Sequence, residues 1–214
     1  MYCMNTFKTG DMVRFGWETF KKRAWFFIGV AFLVAIMSGV AAGIGSSFGD
    51  QGVAQGIGSF INFVLGTFIS MGVAAFYLKA HDSVDTVTSG SLWHPQPFWN
   101  FLAAKLLTGA VVILGLILLI VPGIVFALMF IFAPYIVIDK GLGPIEAMRE
   151  SKRITSGNKW NLLGLLVAIV LLNILGALAL IVGLLVSIPV TTLALVHAYR
   201  MLEHSASEVA PVSA

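Results

Sequence analysis

The sequence predicts an all-α, polytopic membrane protein with six transmembrane helices, arranged as three tandem hairpins. Two observations on composition support this fold class. Of the 214 residues, 58% are apolar and only 11% are charged, and the mean hydropathy is +0.95. A water-soluble domain has about 25% charged and about 45–50% apolar residues. The composition therefore excludes a soluble globular domain, a disordered chain and a nucleic-acid-binding domain.

Four long apolar runs define the predicted spans. One crossing of a hydrocarbon core about 30 Å thick takes about 20 helical residues, a length that Trp25–Ile44 and Ile57–Leu78 match. The runs Leu106–Ile138 and Leu162–Tyr199 contain 33 and 38 residues, or about 50 and about 57 Å as single helices. Because these lengths exceed the bilayer, we expect each long run to fold back as a hairpin, which gives six spans.

Helix-breaking residues predict where the long runs turn. Val121-Pro122-Gly123 is expected to separate two helices, because proline suits a first helical turn and glycine relaxes the connection. Gly183 is the expected bend between the last two helices. Pro134 and Pro189 then fall inside helices, where we expect kinks whose unpaired backbone groups bond to neighbours.

The basic residues predict the orientation. With six spans and both termini inside, all thirteen Lys and Arg fall on one side of the membrane, and Asp50 is the one charge in the opposite loops. A four-span arrangement would export the basic segment Asp139–Lys159, against the excess of bases in cytoplasmic loops. We therefore expect a multi-pass protein of the bacterial inner (cytoplasmic) membrane with cytoplasmic N- and C-termini.

Aromatic residues indicate a repeated design. Each odd helix begins with a tryptophan and each even helix ends with a tyrosine followed by a base, a distribution typical of interfacial anchors. The candidate anchors are Trp25, Trp99, Trp160, Tyr77, Tyr135 and Tyr199. Aromatic belts occur in any membrane protein, but the matching positions favour three two-helix units of parallel orientation.

Two charged amphipathic segments precede hairpins. Residues 11–23 place Met12, Val13, Phe15, Trp17 and Phe20 on one face at helical spacing. Residues 144–156 begin at Pro144, have the narrower stripe Ala147, Met148, Ser151 and Ile154, and predict the i,i+3 pairs Glu146/Arg149 and Glu150/Arg153. We expect both helices to lie at the cytoplasmic interface with the apolar face on lipid and the bases near anionic headgroups. The alternative is a docking face for a soluble partner.

These elements give one membrane domain. The predicted organisation is a domain over 1–204 with hairpins at about 25–78, 99–138 and 160–200, amphipathic helices at about 11–23 and 144–156, and a disordered cytoplasmic tail over 205–214.

Four motifs in the second half of the chain resemble a bacterial family of six-span inner-membrane proteins. They are Ile120-Val-Pro-Gly-Ile124, Phe132-Ala-Pro-Tyr135, Glu146-Ala-Met-Arg-Glu-Ser151 and Gly157-Asn-Lys-Trp160. The family includes the YciC-like uncharacterised proteins and the membrane domain fused to some glycerophosphodiester phosphodiesterases. The catalytic domain of the fused relatives is a TIM barrel, which needs about 250 residues of its own. The resemblance therefore implies a membrane module of unknown function and no catalytic residue.

Chemical motifs give no enzyme class. The chain contains no P-loop, HExxH, GxSxG or dinucleotide fingerprint in its required context. His81, Asp82 and Asp85 have the chemistry of metal ligands, but polar residues at the start of a loop are usually solvated. His197 is expected to be hydrogen-bonded near the end of the last helix. We predict no catalytic residue, no metal site and no cofactor.

Polar and small residues within the spans predict helix packing. Asn62 and Asn173 are the strongest polar groups there, and an interhelical hydrogen bond is favoured over a substrate contact. Gly39, Gly43 and Gly66 have the four-residue spacing of small residues that lets helices approach closely. No ionisable residue lies in the central part of a predicted span, which argues against an ion-coupled pump.

The leading functional hypothesis is a non-enzymatic membrane protein, acting as an accessory or assembly subunit or on envelope lipids. Its expected partners are anionic lipid headgroups and either another membrane protein or a second copy of the chain, with no nucleic acid. The alternative is a transporter or channel for a neutral or amphiphilic solute, with a path lined by Asn62 and Asn173. A membrane-embedded enzyme ranks third.

Overall fold

The computed structural model describes residues 9–47, 52–83, 87, 90, 98–179 and 182–209. Within these residues the backbone forms nine helices and no strand, which confirms the all-α class. In chain order they are α1 (Thr9–Lys22), α2 (Ala24–Ser46), α3 (Gly52–Asp82), α4 (Phe98–Leu118), α5 (Ile120–Phe130), α6 (Ala133–Lys140), α7 (Pro144–Thr155), α8 (Lys159–Leu178) and α9 (Val182–Val209).

Six segments in the described residues are long and apolar enough to cross a membrane. They are α2, α3, α4, α5 together with α6, α8 and α9. Their number agrees with the prediction from the apolar runs. α3, with 31 residues, extends beyond the predicted apolar run at both ends. α4 begins at Phe98, one residue before the predicted start of the second hairpin, and Lys105 lies inside this span.

The turn between α4 and α5 is tighter than predicted. Leu119 alone connects the two helices, with an extended backbone (φ −165°, ψ 141°). Pro122 and Gly123 lie in the first turn of α5 and not in the connection. A Cβ built on Gly115 would lie 2.9 Å from the Cα of Gly123. The two glycines thus let the antiparallel helices touch directly beside the turn.

The other two hairpins have the same kind of contact. A Cβ on Gly183, in the first turn of α9, would lie 2.8 Å from the Cα of Gly176 on α8. In the first hairpin, a Cβ on Gly45 would lie 2.9 Å from the carbonyl O of Gly58. Glycine has no side chain and therefore lets two helix backbones approach this closely. Each hairpin is therefore closed by a glycine near its turn.

The glycines predicted to pack helices are not these. A Cβ on Gly39, Gly43 or Gly66 would meet no atom within 4 Å, and all three glycines are exposed. Their spacing marks a helix face, but that face points away from the neighbouring helices in the described part of the chain. The prediction is wrong for packing within the chain.

Pro134 interrupts the fourth span, as its position predicts. A two-residue turn separates α5 from α6, and Pro134 lies in the first turn of α6. The carbonyl O of Met129, just before the interruption, accepts hydrogen bonds from Ser151 Oγ (2.8 Å) and Thr155 Oγ1 (3.5 Å) of α7. A neighbouring helix therefore satisfies this backbone group. Pro189, by contrast, lies within an uninterrupted α9.

α1 packs its apolar face against protein, which corrects the predicted lipid-facing orientation. Met12 and Phe20 are buried, and a Cβ on Gly16 would overlap the carbonyl O of Val190 on α9. Trp17, on the same predicted face, is 44% exposed. The reason for the difference is that α9 offers an apolar surface around Val190 and Ala194, which α1 covers.

α7 begins at Pro144 and ends before Gly157, as predicted, with a positive φ of 87° at Gly157. Its apolar stripe also faces protein and not lipid, since Ala147, Ser151 and Ile154 are buried. The helices in contact with it are α4, α5, α6 and α9. α7 is thus a structural part of the bundle.

The core lies at one end of the bundle, which we call the basic end. Here α2, α4 and α8 begin and α3, α6 and α9 end, and α1 and α7 pack against them. Fully buried side chains at this end include Phe27, Phe76, Ile136 and Tyr199. The odd spans are the first, third and fifth (α2, α4 and α8), and the even spans are the second, fourth and sixth (α3, α5 with α6, and α9). In the most apolar stretch of each odd span only 17% of residues are buried, against 39–44% in the even spans. The even spans therefore form the centre of the bundle.

The last helix extends further than predicted. α9 continues through Ser205 to Val209, where the sequence predicts disorder from 205 onwards; residues 210–214 lie outside the described residues. Arg153 Nη1 donates a hydrogen bond of 3.0 Å to the carbonyl O of Ala206. Leu202, one turn earlier, is buried. Contact with α7 thus supports helix in this segment.

Candidate functional site

An ion-pair network joins the ends of the three even spans at the basic end. Arg200 on α9 donates from Nη2 to Asp82 Oδ2 (2.7 Å) and from Nη1 to Asp139 Oδ2 (2.7 Å). A further contact of 3.2 Å joins Arg200 Nη1 to Glu203 Oε2. Asp82 is the last residue of α3 and Asp139 lies near the end of α6. One guanidinium thus holds three hairpins together, and it does so with charge-assisted hydrogen bonds.

Lys140 and Arg153 extend this network onto α7. Lys140 Nζ lies 3.0 Å from a carboxylate oxygen of Glu150 and 3.0 Å from one of Glu203. Arg153 binds both carboxylate oxygens of Glu150, with distances of 2.7 Å from Nε and Nη2. The hydrogen bonds from Arg153, followed by those from Lys140, lower the pKa of Glu150 from 4.5 to about 2.

Only one of the two predicted i,i+3 pairs on α7 forms. Glu150 and Arg153 are paired, as above. The carboxylate of Glu146 instead lies beside Gly143, where a Cβ would overlap it. Glu146 therefore turns back over the start of its own helix, where a negative charge is stabilised, and leaves Arg149 without a carboxylate partner in the described residues.

The six predicted aromatic anchors divide into two groups. Trp25, Trp99 and Trp160 are 88%, 77% and 84% exposed, as side chains at a membrane surface would be. Tyr77 and Tyr199 are buried, and Tyr199 donates a hydrogen bond of 2.8 Å to Asp139 Oδ2.

Ring packing shows where the tyrosines lie. Tyr77 stacks on Phe27, and Tyr135 lies 6.4 Å from the ring of Tyr199. The anchor prediction is therefore wrong for Tyr77 and Tyr199, because α3 and α9, which carry them, lie at the centre of the bundle.

Two histidines that the sequence separates by 116 positions lie side by side. His81 Nε2 and His197 Nδ1 are 3.0 Å apart, within hydrogen-bond distance. Phe15 of α1 stacks on the His197 ring at 3.8 Å with an interplanar angle of 10°. This contact joins α1, α3 and α9. The predicted hydrogen-bonding role of His197 is confirmed, and its partner could not be named from the sequence.

Metal-ligand chemistry is not assembled among the described residues. No group of three or more His, Cys, Asp or Glu side chains in that part of the chain is placed to hold a metal ion. His81 binds Asp82 Oδ1 through Nδ1 at 3.2 Å, whereas Asp85, the third member of the candidate set, lies outside the described residues.

Two clefts at the basic end are lined by described residues. One, of about 520 Å³, is lined by the network itself: His81, Asp82, Lys140, Arg153, Arg200, Glu203, His204 and Ser207. The other, of about 630 Å³, follows the outer face of α7 and is lined by Leu142, Glu146, Arg149, Glu150, Lys152, Arg153 and Ser156. Both clefts contain charges of both signs.

The two asparagines predicted to lie within the spans are in different hairpins. Asn173 on α8 accepts a hydrogen bond from Ser187 Oγ of α9 (2.9 Å) and donates one to Thr191 Oγ1 (3.4 Å). Asn62 on α3 is exposed, beside Gly45 of α2. The structure does not bring the two asparagines together. Asn173 is an interhelical contact of the kind predicted.

The ion-pair network itself was not predicted, although the sequence contains a signal for it. Each even span is followed by an acidic residue within a few positions of a base. These are Asp82 near Lys79, Asp139 before Lys140, and Glu203 after Arg200. A carboxylate at the same end of every hairpin indicates a shared contact, but only the fold shows which base binds which acid.

Comparison with known proteins places the chain among uncharacterised proteins. A family model described as a domain of unknown function, DUF7847, matches residues 86–212. Over 92% of its length the chain is similar to the uncharacterised protein Rv2560 of Mycobacterium tuberculosis, at 24% identity and covering 69% of that protein. It has 23% identity, with the same coverage, to the uncharacterised protein Mb2590 of Mycobacterium bovis. No solved structure matches.

The family match covers the last two hairpins, from α4 to α9, together with α7. An uncharacterised family agrees with what the motifs of this half imply, although the matched description is not the YciC-like one. More than half of the chain lies within the match. The chain therefore belongs to the DUF7847 family.

Proposed function

We propose that this chain is a multi-pass protein of the bacterial cytoplasmic membrane, with the basic end in the cytoplasm. Six apolar helices support the proposal, as do large apolar side chains exposed along their outer surfaces, such as Ile117, Leu175 and Val53. The excess of bases expected on the cytoplasmic side sets the orientation. Anionic lipid headgroups are then the natural contacts of the bases at this surface.

Within the membrane, the chain acts as a non-enzymatic accessory or assembly subunit for another membrane protein. The observation that carries this proposal is the pairing of the network at the basic end, where Arg200, Lys140 and Arg153 bind carboxylates of the same chain. Such pairing fixes the relative positions of the hairpins and forms a rigid surface. The outer cleft of α7, with Arg149 and Lys152 exposed beside it, is the surface we assign to the partner.

A transporter for a neutral or amphiphilic solute is the second candidate. It needs a path lined by the intramembrane asparagines, and the hydrogen bonds of Asn173 support it as a polar site at membrane depth. Asn62 lies in another hairpin, and Ser187 and Thr191 already bind Asn173. These contacts favour the accessory role over transport.

Purification of the full chain in mild detergent, from its host at native expression level, tests the proposal. We expect one stoichiometric membrane partner, a lower abundance of that partner when the chain is deleted, and loss of the complex in Arg149→Glu/Lys152→Glu. Lys22→Glu on α1 is the control, because it changes the charge at its site by the same amount as each of these two substitutions. A chain that purifies alone at every expression level, with no partner altered by its deletion, refutes the accessory role. Solute or lipid movement in reconstituted vesicles would support the transporter instead.

A further inference from the structure

Lys105 is an unusual cation, because it lies within a candidate span and on its outer surface. It is the eighth residue of α4, and its side chain is exposed among large apolar neighbours such as Leu106 and Leu107, which are 53% and 40% exposed. An ionisable residue in such a position is costly unless it has a partner. The bases of the network have carboxylates; Lys105 has none among the described residues.

Among the described residues, Lys105 makes one hydrogen bond, and its partner is on α3. Lys105 Nζ donates a hydrogen bond of 3.1 Å to Ser70 Oγ, and Ser70 Oγ donates in turn to the carbonyl O of Thr67 (2.9 Å). An ammonium group has three donors. Ser70 uses one of them, so two N–H bonds and the positive charge have no acceptor among the described residues.

The depth of this contact follows from helix geometry. Ser70 is 18 residues from Gly52, the start of α3, which at 1.5 Å per residue is about 27 Å along the helix. Lys105 is 13 residues from Leu118, the end of α4 beside the same membrane face, or about 20 Å. The side chain therefore extends toward the basic end, as snorkelling lysines do. With a hydrocarbon core of about 30 Å, this places the ammonium near the edge of the core, next to the headgroup layer.

Aromatic side chains stand beside this boundary. Phe68 of α3 and Phe98 of α4 stack with their ring centroids 4.2 Å apart. Trp99 packs edge-on against Phe98 at 5.5 Å and is 77% exposed. Aromatic rings settle at the headgroup level of a bilayer. They thus give the junction of α3 and α4 an apolar wall at the depth where the glycerol region of a lipid begins.

We propose that Lys105 and Ser70 form a binding site for the phosphate group of one anionic phospholipid at the junction of α3 and α4. The inference rests on the proposed membrane placement and deepens it by naming a lipid class and a site. A headgroup with net charge −1 neutralises Lys105, which a zwitterionic headgroup, with its own cation, does less well. The acyl chains then lie along the exposed apolar side of α4.

Native mass spectrometry of the full chain, released from nanodiscs of phosphatidylcholine containing phosphatidylglycerol, tests the site. We expect one tightly retained phosphatidylglycerol on the wild-type chain. Lys105→Met should lower its retention about fivefold, the factor that corresponds to about 1 kcal/mol at 25 °C. Ser70→Ala should lower it about twofold, and Lys105→Arg should restore most of it. Lys22→Met, which removes an exposed base from α1, should change nothing.

The controls distinguish a lipid site from a site for soluble phosphate, and a failure of the site from a failure of the membrane placement. Millimolar glycerol 3-phosphate in the release buffer should not displace the lipid; displacement would show a site for soluble phosphate and overturn the lipid assignment. Equal retention in Lys105→Met and wild type, or equal losses in Lys105→Met and Lys22→Met, refutes the site. A chain that does not enter nanodiscs at all refutes the membrane placement instead. Unchanged thermal unfolding of Lys105→Met shows that the variant is folded.

Discussion

Arg200 Nη1 lies 2.7 Å from Asp139 Oδ2, and the same carboxylate oxygen accepts the hydroxyl of the neighbouring Tyr199 at 2.8 Å. Consecutive residues of α9 therefore hold one oxygen at the end of α6. The other arm of Arg200 holds Asp82 at the end of α3. The ends of α3, α6 and α9 are thus held in a fixed arrangement at one point.

Replacing Arg200 tests that fixed point. Arg200→Gln leaves Asp82 and Asp139 without their base, and we expect the free energy of unfolding to fall by about 2–4 kcal/mol, slightly below the cost of breaking a fully buried pair. The measurement is unfolding by sodium dodecyl sulfate titrated into mild detergent. Arg14→Gln, which breaks the fully exposed i,i+4 pair with Glu18, is the matched control and should leave stability unchanged. Equal effects of the two substitutions would contradict this prediction.

The low pKa of Glu150 predicts a loss of stability in acid. Because the pKa of Glu150 is about 2 in the folded chain and ordinarily 4.5, the stability that this carboxylate contributes is fully present above about 4.5. It is lost as the pH falls from there towards 2. Glu150→Gln should be less stable than wild type at pH 6, by about 1.5–3 kcal/mol.

The pH profile supplies the decisive comparison. The difference between wild type and Glu150→Gln should narrow between pH 6 and pH 3, measured as thermal unfolding in detergent. Glu18→Gln, on the exposed surface of α1, should follow the wild-type profile. A gap between wild type and Glu150→Gln that stays constant over this range would show that Arg153 and Lys140 do not stabilise the ionised form.

The glycine contacts predict opposite effects for two identical changes. Gly183→Ala places a methyl group against the backbone of Gly176, and we expect a loss of about 1–3 kcal/mol from overpacking. Gly43→Ala points into open space and should be neutral or stabilising by up to about 1 kcal/mol, because alanine favours helix. Detergent unfolding of both variants measures this. Destabilisation by Gly43→Ala would mean that its face packs against another subunit.

The carbonyl O of Met129 predicts a role for the hydroxyl of Ser151. Ser151→Ala removes the buried hydrogen bond of 2.8 Å, and we expect a loss of about 1–3 kcal/mol because the carbonyl stays buried without its main donor. Thr192→Ala removes a hydroxyl whose hydrogen bond within the described residues is to the preceding turn of its own helix, and it should change stability little. Both changes are compared by thermal unfolding. If they have equal effects, α7 does not satisfy the interrupted helix.

Cysteine labelling tests the orientation in the membrane. In a Cys3→Ser background, Lys152→Cys on the exposed face of α7 and Ser47→Cys at the end of α2 lie at opposite ends of the bundle. An impermeant maleimide added to intact spheroplasts should label Ser47→Cys only, and Lys152→Cys only after lysis. Labelling of Lys152→Cys alone from outside would reverse the proposed orientation. Labelling of both sites from outside would contradict the three spans that separate them.

Composition and periodicity predicted the helical architecture well. The lengths of the apolar runs required two of them to fold back, and the interruption at Pro134 follows from the missing backbone N–H of proline. The limits of α7 likewise follow from single residues, since proline suits a first helical turn and glycine adopts the positive φ that ends a helix. These features depend on residues close together in the chain, and a sequence displays such relations directly.

Pairings between distant residues could not be predicted. The spacing of Gly39, Gly43 and Gly66 is as regular as a packing motif requires, yet the contacts are made by Gly45, Gly115 and Gly183 with their partners. Likewise, Tyr77 and Trp25 have equally good interfacial chemistry, but one is buried and the other exposed. Which face of a helix turns inward depends on the helices that pack beside it, and the sequence of one helix does not show which helices these are.

The sequence by itself determined the helical class, the six apolar spans and the gathering of bases at one end, since each depends on hydropathy, length and charge counted along the chain. Only the tertiary structure decided that the even spans form the centre, that α1 and α7 cover protein, and that Arg200 binds Asp82 and Asp139. Hydrogen bonds and ion pairs act over about 3 Å. Residues more than 60 positions apart come within that range only when the whole bundle has assembled.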